Sequence, residues 1–262
     1  MKLLNYTFAF LIACMLSVAV KAQDLYTVTS GELIFSWNTT TFNEAFQLQY
    51  PGASIEGTSM RFTLFFHIGE YLHYDFNNTV GLFTGLGIRN VGMITQEVLP
   101  QTVALSGQDV AYTNFNIVRR QYFLGLPLAF KIGDFGKNFY LFAGGEYELG
   151  FVYKQKYWSD TFDRNGEKTK YDDWFGSETP LFIPSVFAGM QFPGGINVRF
   201  KYYLDDFLDN TYTKNSNSQD GGDFNVADLS RYSESQIFYV SACWQFINGD
   251  KKKKEESSAN LY

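Results

Sequence analysis

Eight segments of this chain alternate apolar and polar side chains with a period of two, and the connections between them alternate short and long. The segments lie near 30–39, 59–76, 79–95, 115–133, 138–157, 180–192, 195–204 and 235–247. In the fourth, Val118, Tyr122, Leu124, Leu126, Leu128, Phe130 and Ile132 share one parity, and Arg119, Gln121, Gly125, Ala129 and Lys131 share the other. Residues two apart lie on one face of a strand, whereas a helix would mix the two sets. The fifth opposes Phe139, Leu141, Ala143, Tyr147, Leu149, Phe151 and Tyr153 to Gly144, Glu146, Glu148, Gly150 and Lys154. The seventh and eighth repeat the pattern with Ile196, Val198, Phe200 and Tyr202 against Asn197, Arg199 and Lys201, then with Phe238, Val240, Ala242, Trp244 and Phe246 against Ser241, Cys243 and Gln245.

The connections restrict the topology further. Asn77-Asn78, Asp134-Phe135-Gly136-Lys137 and Pro193-Gly194 are tight-turn sequences. The stretches 40–58, 96–114, 158–179 and 205–234 are long and polar. Strictly alternating short and long connections predict an up-and-down antiparallel barrel, with all short turns at one end and all long loops at the other. Eight is an even number, so both chain ends fall on the short-turn side. Closure follows from the cost of unpaired backbone groups, several kcal/mol each where no water reaches them.

Periodicity does not say which face points in. A soluble barrel with an oily interior, lipocalin-like, is the competing reading. The aromatic residues favour the membrane alternative. Tyr74, Phe76, Phe130, Phe139, Phe192, Trp244 and Phe246 gather beside the short turns on the apolar parity, as in an interfacial girdle. Aromatic residues make up 19% of the chain and charged residues 18%, and mean hydropathy is only −0.17, too polar for a helical membrane protein. The fold class expected is therefore all-β, an eight-stranded antiparallel up-and-down transmembrane β-barrel.

Residues 1–22 read as a signal peptide. Lys2 provides the positive start, Tyr6 to Val20 is nearly all apolar, and Val20-Lys21-Ala22 ends in a small residue before Gln23. Leu11-Ile12-Ala13-Cys14 resembles a lipobox, but the sequence stays apolar after Cys14 where a lipoprotein turns polar. Cleavage removes two lysines and no acid, taking the formal charge from −6 to 19 − 27 = −8. That balance argues against nucleic-acid binding. Only Cys243 survives cleavage, so neither an intrachain disulfide nor a thiolate metal cluster is expected. The expected organisation is a leader over 1–22, the barrel over 23–247 and a charged periplasmic tail over 248–262.

On these segments the chain resembles the small bacterial outer-membrane β-barrel superfamily, which includes OmpX-like and OmpA-like eight-stranded barrels. The likeness covers 30–247 in architecture. Gly81-Leu82-Phe83-Thr84-Gly85-Leu86-Gly87-Ile88-Arg89-Asn90 looks like a member strand. The last strand, with Tyr239, Ser241, Trp244 and Phe246, is similar to the insertion signal read by the barrel-assembly machinery, although about 16 residues follow it where the signal usually ends the chain. The resemblance implies export to the outer membrane of a Gram-negative cell. The partners expected are outer-membrane lipid, the assembly machinery and an extracellular ligand or protein.

The polar parity carries Glu32, Arg61, His67, Arg89, Arg119, Lys131, Glu146, Glu148, Arg199 and Lys201. An eight-stranded bore is just wide enough for side chains to fill it. These charges are therefore expected to form a salt-bridged plug: Glu146 and Glu148 answered by Arg89, Arg199 and Lys201, with His67 in the same network. A narrow channel along the same residues is the alternative. Glu70 breaks parity, falling with Phe62, Leu64, Phe66, Ile68 and Leu72, and a bulge near Gly69 is expected to turn it inward. His67 and His73 are the only histidines; with no Gly-x-Ser-x-Gly elbow they read as network residues rather than catalysts. Gly81, Gly85 and Gly87 lie within a strand with no helix following, and relieve crowding rather than cradle phosphate. Asn215 to Asp223 is rich in oxygen ligands but lacks EF-hand spacing, and Lys251 to Glu256 reads as a solvated tail.

The function expected is a non-enzymatic, cofactor-free outer-membrane barrel whose long loops bind ligands or partners. A porin-like channel or secretion-complex subunit comes second, and a lipid-modifying enzyme third. The mature chain is predicted to begin at Gln23. N-terminal sequencing checks this, and a lipid-modified Cys14 would contradict it.

Overall fold

Backbone pairing closes the sheet on itself. In the computed structural model, residues 24–64, 67–102, 110–213 and 224–248 are described. The leader with Cys14, Phe66, Asn215 to Asp223 and the lysine-rich tail lie outside the described residues. The elements are β1 (Asp24–Phe42), a short helix α1 (Glu44–Gln49), β2 (Ser54–Ser59), β3 (Arg61–Thr63), β4 (Ile68–Asp75), β5 (Val80–Pro100), β6 (Tyr112–Asp134), β7 (Phe139–Ser159), β8 (Lys168–Trp174), β9 (Phe182–Gln191), β10 (Ile196–Tyr203) and β11 (Tyr232–Asn248). Each main strand pairs antiparallel with its sequence neighbour, and β11 pairs with β1 from Thr27↔Asn248 to Phe42↔Tyr232. Strands β2, β3 and β4 together make one stave and β8 extends the β9 stave, so the ring has eight staves.

The three tight turns form where expected. Asn77 Oδ1 accepts from the backbone N–H groups of Thr79 (2.7 Å) and Val80 (2.8 Å). Gly194 and Gly195 both take positive φ, 86° and 85°, which only glycine adopts without strain.

The oily parity points outward. On β6, Leu126 is 57% and Phe130 58% exposed, whereas Arg119 and Lys131 are buried. Exposed apolar side chains circle the barrel, from Ile132 up to Leu124 on β6 and through Leu86, Ile196, Phe200 and Trp244 on other strands. Phe139 and Phe192 pack with ring centroids 6.2 Å apart beside the short turns. A soluble barrel would put this surface inside; an apolar belt around a charged interior suits hydrocarbon, and the fold is a transmembrane β-barrel. Among the described residues no helix is long and apolar enough to cross a membrane.

Several details differ from the expectation. Strands β5, β6 and β7 run 21, 23 and 21 residues, about twice the 9–11 that cross a bilayer. Much of what reads as polar loop at 96–114 is thus paired strand rising above the belt. The connection after β7 contains β8, folded back along β7 from Val152↔Trp174 to Trp158↔Lys168. The fourth long connection turns inward rather than out: Phe207, Leu208, Val226 and Leu229 are buried with Phe42, Phe46 and Tyr50 of the first.

Three side chains also change sides. The β6–β7 register shifts beside Phe151, where Tyr122 faces Val152 and Phe123 faces Gly150. This one-residue bulge puts Tyr153 inside and Lys154 outside, the reverse of simple alternation. Glu70 is not turned inward. Strand β4 runs without a bulge from Ile68 to Asp75, paired on both sides, and Glu70 stays on the exposed face. Its oxygens are held there by Thr29 Oγ1 (2.6 Å) and Asn248 Nδ2 (3.2 Å).

Leu126→Arg, near the middle of the belt, is predicted to destabilise the barrel by about 2–4 kcal/mol, and Thr39→Arg, exposed near the outer end of β1, by about 0–1. Equal effects in a reversible folding assay would contradict the face assignment.

Candidate functional site

Inward side chains stack in layers along the bore, and their order follows from β6: Lys131 nearest the short turns, then Gly125, Phe123 and Arg119.

At the base, Lys131 Nζ lies 2.5 Å from Asp75 Oδ1 and 2.9 Å from both Tyr26 OH and His73 Nδ1. Phe135, from the second tight turn, folds in beneath it, 4.5 Å from ring centre to Nζ. His73 is stacked between Tyr26 and Phe83. Above this lies an aromatic layer of Tyr71, Phe83, Phe142 and Phe187.

The central layer is a charge network around Arg89, which is 1% exposed. Its Nε donates to Glu32 Oε2 (2.9 Å), its Nη2 to Tyr71 OH (2.8 Å), and its Nη1 to Glu146 Oε1, with Glu148 Oε1 3.5 Å away. Lys201 Nζ bridges Glu146 Oε2 (2.8 Å) and Glu148 Oε2 (2.7 Å). Glu32 also accepts from Ser241 Oγ (2.5 Å). Arg199 does not reach Glu146 or Glu148; its nearest carboxylate is Glu32, at 3.9 Å. Its guanidinium instead lies over Phe187, Phe142 and Tyr71, at 5.1, 5.7 and 5.9 Å. Three carboxylates thus face three cations. Gly125 leaves the space that Glu146 occupies, since a Cβ there would collide with Glu146 Oε1.

His67 adjoins this layer without joining its ion pairs. Nδ1 faces Glu32 O (3.0 Å) and Nε2 faces Asn90 O (3.1 Å), so both ring nitrogens are engaged by backbone carbonyls rather than by a serine or aspartate.

A second network, unforeseen, closes the outer mouth. Glu97 Oε2 meets Arg231 Nη2 (3.2 Å) and Glu97 Oε1 meets Arg119 Nη1 (3.3 Å). Tyr232 OH donates to Glu97 (2.6 Å) and accepts from Arg119 (2.6 Å) and Arg231 (2.7 Å). Arg231 Nη1 donates to the Val226 (3.2 Å) and Asp228 carbonyls, tying the fourth loop to the barrel. Glu97 and Arg231 stand in stretches that read as loop, so the parity rule did not reach them. On the inner side of β8, beside Tyr153, Tyr171 OH donates to Glu178 (2.5 Å). Burial first, and then that carboxylate, hold the Tyr171 phenol above its usual range.

Between the two networks lies an apolar layer of Phe123, Tyr203, Ile34, Val91 and Ile237. The bore is therefore filled from base to mouth along the described residues. Among them no three metal-ligating side chains converge.

Neither a protein-family model nor a curated protein matches the chain. Solved structures do. Ail, the attachment invasion locus protein of Yersinia pestis, aligns at 10% identity and a TM-score of 0.33, covering 84% of this chain and 99% of that one. A second structure of Ail, in complex with the heparin analogue sucrose octasulfate, gives the same values. The outer membrane protein OprG from Pseudomonas aeruginosa aligns at 10% identity and a TM-score of 0.33, covering 86% and 97%. These are similarities at low identity and low TM-score, and they say nothing of what this chain binds; the barrel stands on its own strand pairing.

Replacing Glu146 and Glu148 together by Gln leaves Lys201 with no carboxylate and Arg89 with Glu32 alone. The double variant is predicted to lose about 3–5 kcal/mol. Glu167→Gln, on the exposed third loop, is predicted to change stability by less than about 1 kcal/mol. Thermal melting in detergent compares them.

Proposed function

We propose that this protein is a non-enzymatic outer-membrane barrel whose interior is structural and whose work is binding at its outer rim and outer wall. The observation that carries this reading is the filled bore. Three charged clusters and two apolar layers occupy it, and among the described residues the first and fourth long connections fold inward at its mouth. A solute path would need these buried ion pairs to part, which costs several kcal/mol for each charge left alone. Catalysis is disfavoured because the ring nitrogens of His67 face backbone carbonyls, with no serine or aspartate beside them among the described residues, and His73 is stacked beside Lys131. Placement in the outer membrane draws on the leader at 1–22, the assembly-signal likeness of β11 and the exposed apolar belt.

The test has two parts. Expression in a Gram-negative host followed by density fractionation is expected to place the protein with outer membranes, in a form whose gel mobility changes on boiling. In planar bilayers the wild-type barrel is expected to show no steady conductance. A steady conductance altered by Glu146→Gln and Glu148→Gln would replace the sealed barrel with a channel.

A further inference from the structure

The barrel wall has a notch at its outer level. Strand β4 pairs with β5 as far as Ile68↔Ile88, and β2 resumes pairing at Ser59↔Ile94. Between them, among the described residues, β3 pairs with β1 alone. Side chains meet β5 carbonyls along this break: Asn90 O is met by Arg61 Nη1 (3.2 Å) and His67 Nε2 (3.1 Å), and Gly92 O by Ser36 Oγ (2.8 Å). Outside this break lies a groove of about 760 Å³. Its apolar lining comes from Met60, Phe62, Leu64, Ile94, Val118 and Trp158, and its charged lining from Arg61, Arg120, Lys156 and Arg164. No carboxylate lines it.

The charges here are unbalanced in a way those of the central layer, three carboxylates against three cations, are not. Arg61 is only 7% exposed and donates to Asn90 Oδ1 (2.8 Å), yet among the described residues no carboxylate lies within ion-pair distance of it. Thr63 Oγ1, in the same lining, is buried without a hydrogen-bond partner among the described residues. On the wall beside the groove, Arg120 stands directly across from Lys154, which has Asp172 on its other side, and Lys156 stands across from Lys170. Like charges directly opposite on paired strands are destabilising. A chain of net charge −6 thus concentrates unpaired cations on one patch of its outer wall. The patch begins at Arg120, just above Tyr122 and Leu124, where the apolar belt ends. That is the depth at which lipid headgroups meet acyl chains.

From this juxtaposition we infer that the notch binds a phosphate-bearing lipid of the outer leaflet, its phosphate held by Arg61, Arg120, Lys156 and Arg164 and one acyl chain laid along Met60, Phe62 and Leu64. Arginine and lysine clusters at a membrane interface recognise anionic headgroups, and guanidinium groups fit phosphate oxygens in pairs. An acyl chain accounts for the apolar floor, which a free anion would leave exposed. The inference rests on the membrane-spanning reading.

The experiment uses the purified barrel in dodecyl maltoside, titrated by native mass spectrometry with diphosphoryl lipid A, with its chemically dephosphorylated form, and with inorganic phosphate. Diphosphoryl lipid A is expected to be retained. The dephosphorylated lipid and the R120Q/K156Q/R164Q variant are each expected to lower affinity at least about tenfold. Lys137→Gln, on an exposed turn at the opposite end, is expected to leave it unchanged. All three altered positions are on the outer wall or a loop, so the variant keeps the barrel; boiling-dependent gel mobility, measured on the same samples, verifies this. Equal binding by the triple variant, or by the dephosphorylated lipid, overturns the inference. So does inorganic phosphate displacing the lipid, which would make the notch a site for small anions. Absence of the mobility shift in the wild type would overturn the membrane reading, and the inference with it; loss of lipid selectivity with the shift intact overturns the inference alone.

Discussion

A chain surrounded by hydrocarbon cannot leave backbone N–H and C=O groups unpaired, and the pairing of β11 with β1 is where this chain meets that demand. Once the ring closes, every residue of a stave is assigned to one of two surroundings by parity alone. The outer set must be apolar across the belt. The inner set faces a bore about as wide as two side chains meeting. The charge network, the layered packing and the apolar exterior are consequences of that single closure.

The narrow bore then dictates how charge is handled. A carboxylate removed from water costs several kcal/mol unless a cation and further donors meet it. In the central layer three carboxylates and three cations satisfy one another, and the glycine at 125 supplies the room for Glu146. Aromatic faces add to this: Arg199, 3.9 Å from its nearest carboxylate, lies over three rings, and Lys131, paired with Asp75, is also 5.0 and 5.3 Å from the centres of Tyr26 and Tyr140. At the mouth, one carboxylate, Glu97, serves Arg119 and Arg231 with a tyrosine hydroxyl completing the set. Arg231 also holds the fourth connection through the Val226 and Asp228 carbonyls, so the same network ties that connection to the barrel.

Parity made the strand faces legible before any coordinates, because a period of two survives as long as the strand stays regular. The eight staves, the three tight turns and the central residues Arg89, Glu146, Glu148 and Lys201 follow from it. It fails where regularity does. The bulge at Phe151 inverts Tyr153 and Lys154, and a bulge leaves no mark in a pattern already broken by glycine and tyrosine. Composition hides the long strands above the belt, since there both faces meet water or loops and the outer face has no reason to be oily. Glu97 and Arg231 were lost in that way. Glu70 shows the converse error: a carboxylate on the oily parity looks like a register break, but two polar neighbours, Thr29 and Asn248, hold it on the surface. Neither neighbour is adjacent in sequence, so only the register between strands reveals them.

The contrast between the two surfaces says most about function. Inside, the central charges meet opposite charges or rings, as a structural plug requires. Outside, above the belt, Arg120 stands across from Lys154 and Lys156 across from Lys170, with Asp172 on the far side of Lys154, and Arg61 is buried at the break with no acid within ion-pair distance among the described residues. Folding alone gains nothing from that arrangement, because each opposed pair weakens the strands that carry it. An anionic group lying over it would relieve that repulsion. With side chains layered along the bore among the described residues, the unbalanced charge on the wall is where the proposed binding is to be sought.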